Sequence, residues 1–247
     1  MDASGSLESN RRYYDAFAEG YEGRRGENDP GGYHELLDQL EADFVARFAL
    51  GRDVLEVGCG TGLVLNRIRQ FAKSAKGVDL SPGMLEKARA RGLSVVEGSA
   101  TALPFPDQSF DVTCSFKVLP HVREIHQALS EMARVTRLHG YVIAEFYNPH
   151  SLRGLVKRFG PAGRVAADTH EGQVFTRFDS PARIKHLVPE GCRLVDARGV
   201  RIATPTAHVM KTALGRRLFR AAENCLCDSP LRVFGGFYVV AMEKIVP

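Results

Sequence analysis

A short apolar run that ends in closely spaced glycines constrains this chain more than any other feature in it. Val54-Leu55-Glu56-Val57 reads as a strand, Gly58-Cys59-Gly60-Thr61-Gly62 follows at once, and residues 63–71 read as a helix. Glycine at alternate positions lets the backbone turn tightly and lets a ligand approach the main chain. Strand, glycine turn and helix make the first unit of a nucleotide-binding α/β fold, in which ligands sit at the carboxyl ends of the strands. The spacing here is G-x-G-x-G; the dinucleotide form G-x-G-x-x-G would need glycine at position 63, which is Leu63. Glu56 lies two residues ahead of the first glycine. A carboxylate there opposes a pyrophosphate and suits a cationic ligand.

The texture downstream repeats the unit. Residues 75–79 read as a second strand ending in Asp79, and residues 82–91 as a helix with Ser81 at its N-cap and Pro82 in first position. Strands follow at 93–97 and 110–115, a long helix at 122–138 and a fifth strand at 141–146. Strands alternating with helices of this length predict a parallel sheet covered on both faces. Asp79 stands 17 residues after Gly62, where a carboxylate accepts hydrogen bonds from ribose hydroxyls in either nucleotide-binding family. Ahead of the sheet, Tyr14, Phe17, Ala18 and Tyr21 recur at helical spacing, and residues 33–48 form an amphipathic helix with Leu36, Leu37, Leu40, Phe44 and Phe48 on one side. The last hundred residues are less regular. A helix starts at Ser180-Pro181 and ends near Pro189, strands occupy 192–197 and 237–242, and a basic amphipathic helix spans 207–226. That helix is inserted between the last two strands and is expected to cap the site.

At this point the segment from Val54 to Gly62 resembles motif I of class I S-adenosylmethionine-dependent methyltransferases. Gly77-Val78-Asp79-Leu80-Ser81 with Met84 resembles motif II, and Gly98-Ser99-Ala100-Thr101-Ala102-Leu103-Pro104-Phe105 resembles the loop after the third strand. Ser109-Phe110-Asp111-Val112 with Leu119-Pro120-His121-Val122, then Arg134-Val135 with His139-Gly140-Tyr141, continue the family's order. The match covers roughly residues 50–147, with a weaker one at Tyr14-Asp15 and Tyr21. The general look is closest to the group of ubiquinone/menaquinone-type and small-metabolite methyltransferases. The resemblance implies a three-layer, Rossmann-like sheet, mostly parallel with an antiparallel last strand, carrying an N-terminal helical lid (1–50), a cofactor-binding core (51–147) and an acceptor-side half (148–247) with a cap near 203–232. It implies S-adenosylmethionine as cofactor and S-adenosylhomocysteine as product. Gly58, Cys59, Gly60, Thr61 and Gly62 would border the methionine part with Glu56 nearby. Asp79 would hold the ribose, Leu80 and Met84 would flank the adenine, and Gly98, Ser99 and Ala100 would approach its edge. Tyr21 and Phe116 complete the implied contacts. Ser99 stands where the family usually has Asp, which leaves a shorter, uncharged acceptor.

Methyl transfer from a sulfonium is an in-line displacement, so a base is needed only where the acceptor must lose a proton. His121 after the fourth strand is the first candidate; Tyr147 and His150 follow the fifth, with His150 read as surface. The histidines show no metal-ligand spacing, and no metal is expected. Phe116-Lys117-Val118-Leu119 lacks the Asn/Asp-Pro-Pro-aromatic pattern that related enzymes use on planar amino groups. A small-molecule acceptor is therefore expected, oxygen first, with carbon or nitrogen open. Protein or RNA methylation, a non-catalytic cofactor-binding protein and a dinucleotide dehydrogenase are the competing readings. The chain of 247 residues has a net charge of only +4 and no basic tract with interleaved aromatics, so no nucleic-acid partner is expected. No apolar run of about 18 residues occurs and residues 1–12 lack a leader's apolar stretch, which predicts a cytoplasmic protein without a membrane span. Five scattered cysteines do not make a disulfide framework. The basic helix at 207–226 reads most simply as packed on the domain with a solvated basic face; a lipid-surface helix and a lid over the acceptor are its other readings.

Overall fold

The computed structural model describes residues 11, 14–16, 18–24, 31–151 and 175–246. Helix α1 (Tyr21–Arg24) and α2 (Tyr33–Ala49) precede β1 (Asp53–Val57), α3 (Leu65–Ile68), β2 (Ser74–Asp79), α4 (Pro82–Ala90) and β3 (Ser94–Glu97). Next come β4 (Phe110–Ser115), α5 (Ile125–Val135), β5 (Thr136–Tyr147), α6 (Pro181–Ile184), β6 (Cys192–Val200), α7 (Ala213–Leu226) and β7 (Phe237–Lys244). The seven strands lie in the order β3-β2-β1-β4-β5-β7-β6. β1 to β5 pair in parallel, and β7 runs antiparallel to both β5 and β6. The mostly parallel α/β sheet implied by the motifs is thus present, and its antiparallel strand is β7.

Alternation along the strands divides the core into two layers. Val142 and Ala144 of β5 face Ile125, Leu129 and Met132 of α5 together with Ile184 of α6. Ile143 of β5, Val112 and Cys114 of β4, and Phe116 just beyond it face the other way, against Leu36, Leu37, Leu40 and Phe44 of α2. Both faces are covered, as a parallel sheet requires. The reversal of strand order lies between β1 and β4, which places the ligand crevice beyond their carboxyl ends.

Several boundaries differ from the sequence reading. The expected helix at 122–138 is the shorter α5, because Thr136 leaves the helix: its hydroxyl donates to Met132 O at 2.7 Å and meets Thr113 Oγ1 at 2.9 Å. β5 therefore starts early and bulges between its pairings to Phe110 and Val112. The helix expected at 63–71 is regular only over α3, and i to i+3 bonds at Gln70 and Phe71 tighten its end. The helix expected at 207–226 is broken. A 3-10 turn spans Ala207–Met210, and α7 starts afresh because Thr212 Oγ1 accepts from Gly215 N at 3.1 Å.

The exposed side of α7 also departs from expectation. Its inner face carries Arg216, which donates to Met210 O at 2.8 Å, and the buried Glu223. Its outer face carries Leu214 and Leu218, 68% and 59% exposed. The solvated basic face expected from the sequence is largely apolar. The described residues contain no helix long and apolar enough to cross a membrane, and all five cysteines are free thiols.

Candidate active site

The strand ends enclose one deep cavity. The glycine loop and Glu56 form one wall, Asp79, Leu80 and Met84 a second, Gly98, Ser99 and Ala100 a third, and Phe116 with His121 the side after β4. Tyr14 and Tyr21 reach it from the N-terminal helical residues. Gly62 does not line it. At a φ of 80°, a Cβ on Gly62 would meet Leu93 Cδ1 at 2.2 Å, so this glycine serves close packing of the loop on the helix layer. Gly58 is also a packing glycine, since a Cβ there would lie 2.2 Å from Val118 Cγ2.

Asp79 organises the loop. Its Oδ2 accepts from Gly60 N at 2.8 Å and its Oδ1 from Ser81 N at 2.9 Å, so one carboxylate ties the glycine turn to the start of α4. Burial raises its pKa, and the backbone N–H groups pull the other way. Each carboxylate oxygen can accept a further hydrogen bond, which suits a diol. Ser81 caps α4 through Met84 N at 3.2 Å and in turn donates to Asp15 Oδ1, which also accepts from Gly83 N at 3.1 Å. Asp15 thereby fastens the N-terminal residues beside the cavity. The match at Tyr14-Asp15 was the sole sequence signal for it.

Glu56 is 3% exposed, and its Oε2 has no hydrogen-bond partner among the described residues. Burial, reinforced by the Glu41 carboxylate, holds its pKa well above the ordinary carboxylate range, against the pull of Lys117. Thr61 Oγ1 is likewise buried and has no hydrogen-bond partner among the described residues. An orphaned carboxylate oxygen and a hydroxyl on the cavity wall are vacant acceptors for an ammonium group. Beside Glu56, Lys117 stands in the left-handed region at φ 60° and places Nζ 2.6 Å from Glu41 Oε1 and 3.3 Å from Asp38 Oδ1. Lys117 lines the cavity too, as do Val118, Arg123 and Glu124. Sequence reasoning missed these four, although they follow β4 as His121 does.

His121 sits on the 3-10 turn Leu119–His121. Its Nδ1 is 3.0 Å from Phe175 O and 3.2 Å from Thr176 Oγ1, and its Nε2 is 3.4 Å from Tyr147 Oη. A carbonyl oxygen only accepts, so Nδ1 carries the proton and Nε2 presents a lone pair. Burial and the Glu145 carboxylate raise the Tyr147 pKa, which keeps that phenol protonated and donating to Nε2. His150 is exposed, as read from the sequence. The segment 203–232, expected as a cap, supplies none of the residues around the cavity among those described. α7 lies instead against the side of α2, where Arg220 approaches Gly31 O and Glu35. Among the described residues no group of three or more His, Cys, Asp or Glu could hold a metal ion.

The family model described as a methyltransferase domain matches residues 55–144, the stretch that holds the glycine loop, Asp79 and the turn after β4. The chain carries a class I S-adenosylmethionine-dependent methyltransferase domain. A demethylmenaquinone methyltransferase of Renibacterium salmoninarum is 44% identical over 103 residues, 40% of this chain and 43% of that protein. A malonyl-[acyl-carrier protein] O-methyltransferase of Halorhodospira halophila is 34% identical over 177 residues, 65% of this chain and 57% of that protein. The chain spans about half the length of the curated relatives it matches. The crystal structure of a SAM-dependent methyltransferase from Thermotoga maritima superposes with a TM-score of 0.64 at 21% identity, covering 94% of this chain and 98% of that one, which shows the shared fold. The cofactor of this domain is S-adenosylmethionine. The orphaned Glu56 and the doubly acceptor-capable Asp79 fit its ammonium and its ribose.

Proposed function

We propose that the chain transfers a methyl group from S-adenosylmethionine to a small-molecule acceptor, with a hydroxyl oxygen as the favoured target. The observation that carries this reading is His121 on the cavity wall, with Nδ1 tied to the Phe175 carbonyl and Nε2 met only by the Tyr147 hydroxyl at 3.4 Å among the described residues, a long contact that an acceptor hydroxyl can replace. The bound cofactor supplies an activated methyl carbon on sulfur. Glu56 takes the ammonium, Asp79 the ribose hydroxyls, and Leu80 and Met84 the adenine faces, while Tyr14 and Tyr21 exclude water from the outer side. His121 Nε2 accepts the proton that an acceptor hydroxyl loses as its oxygen attacks, and Tyr147 keeps the imidazole oriented until the acceptor arrives. Positioning and exclusion of water supply most of the remaining acceleration. The two relatives act on different acceptors by their names, a demethylmenaquinone and a malonyl-[acyl-carrier protein], which supports the donor half more than any one acceptor. Each alignment covers about half of the relative's own length, so the acceptor rests on the turn after β4.

The test is label transfer from methyl-tritiated S-adenosylmethionine to separated small-molecule, protein and RNA fractions of a cell extract. Label in the small-molecule fraction, lost on base treatment where the product is an ester and retained where it is an ether, is expected. Label confined to protein or RNA overturns the acceptor class and leaves the cofactor assignment standing.

A further inference from the structure

We propose that the outer face of α7 docks on the surface of an anionic lipid bilayer. An ordinary surface helix turns its one apolar stripe to the core; α7 packs Phe219 there but carries a second apolar stripe on its outer side. Here Arg216 and Glu223 point inward and are bonded to backbone: Arg216 to Met210 O, and Glu223 to the N–H groups of Ile202, Ala203 and Thr204 at 2.8–2.9 Å. Leu214 and Leu218 point outward at 68% and 59% exposure, and Ala221 and Cys225 extend the same stripe at helical spacing. Leucines aligned on the solvent side of a helix that turns Arg216 and Glu223 inward call for an apolar neighbour.

Size and charge choose the neighbour. A helix of 14 residues presents a strip about 21 Å long and about 10 Å wide. That is far below the roughly 800 Å² per partner of a stable protein interface. A strip of this size suffices for shallow insertion at the headgroup boundary, where apolar burial and attraction to anionic lipid act together. Lys211 and Arg217 are exposed beside the stripe and enter no ion pair among the described residues. Glu223 is the one acidic residue in α7, and it is buried, so nothing on the outer face repels an anionic surface. The proposal does not depend on the chemistry performed in the cavity.

Co-sedimentation of the full chain with vesicles tests it. Binding to phosphatidylglycerol–phosphatidylcholine vesicles is expected, weakening as salt rises, with little binding to phosphatidylcholine alone. The double substitution Leu214→Gln/Leu218→Gln is expected to reduce partitioning at least ten-fold with an unchanged thermal melt, since both side chains are exposed. Lys211→Gln/Arg217→Gln should weaken binding and flatten the salt dependence. Absence of binding to the anionic vesicles overturns the proposal, as does binding that the leucine substitutions leave intact. A dimer in sedimentation equilibrium that those substitutions dissociate, without vesicle binding, overturns it in favour of a second copy of the chain.

Discussion

Glu56 carries opposing demands. As a buried carboxyl crowded by Glu41, it is costly to ionise in the empty protein, and its raised pKa expresses that cost. A carboxyl whose folded pKa lies above its unfolded value penalises the fold as pH climbs from the ordinary carboxylate range through the raised value. In the proposed reading the cofactor's ammonium would reverse the balance by stabilising the charged form. Glu56→Gln is therefore expected to raise the melting temperature of the ligand-free protein near neutral pH and to weaken S-adenosylhomocysteine binding about 10- to 100-fold, the worth of a charge-assisted hydrogen bond. In the parent chain affinity should rise with pH through the raised value, with Asp38, Glu41, Asp79 and Lys117 the charged groups that act on it. In the Gln variant that rise should be much flatter, and paired melting and binding curves read both effects. At His121 the expectation is kinetic. His121→Gln should lower turnover on a hydroxyl acceptor about 100- to 10,000-fold and remove the limb of the pH–rate profile due to the base, while cofactor affinity stays within a few-fold. Unchanged turnover would leave His121 with an orienting role only.

At the scale of elements, Glu223 shows how α7 is held. Its carboxylate accepts from three successive backbone N–H groups after β6 and from Thr204 Oγ1 at 2.7 Å, all buried. Glu223→Gln keeps the shape but supplies only one carbonyl oxygen, and should cost about 2 kcal/mol of unfolding free energy, read from urea denaturation. The same helix explains what sequence pattern left illegible. Periodicity shows that a helix is amphipathic, and apolar-inward is then the usual assumption; here tertiary partners for Arg216, Arg220 and Glu223 turn the polar side in. The glycine turn, Asp79, the Ser81 cap and the succession of β1 to β5 were legible because each is fixed by neighbours a few residues away. The end of α5 was not, since Thr136 is drawn into the sheet by Thr113, 23 positions earlier. Nor was the Lys117 cluster, whose carboxylates arrive from α2, 76 and 79 positions away.

For the molecule as a whole, the cavity is shared by parts distant in sequence: the N-terminal residues around Tyr14 and Tyr21, the glycine turn, and the turns after β2, β3 and β4. A ligand that touches all of them should stabilise them together, by about 2.7 kcal/mol at one hundred times its dissociation constant. That gain should appear as a melting temperature that climbs with S-adenosylhomocysteine concentration. In the proposed reading, acceptor choice rests on residues after β4 and β5, which short-range pattern reads poorly. The donor is the central claim, and the spacing that separates it from a dinucleotide is Leu63 in place of glycine, with Glu56 where a pyrophosphate would be repelled. Isothermal titration of the full chain with S-adenosylhomocysteine and, separately, with NAD decides between them. Saturable one-to-one binding of S-adenosylhomocysteine with no heat from NAD is the predicted result; binding of NAD alone would contradict the account.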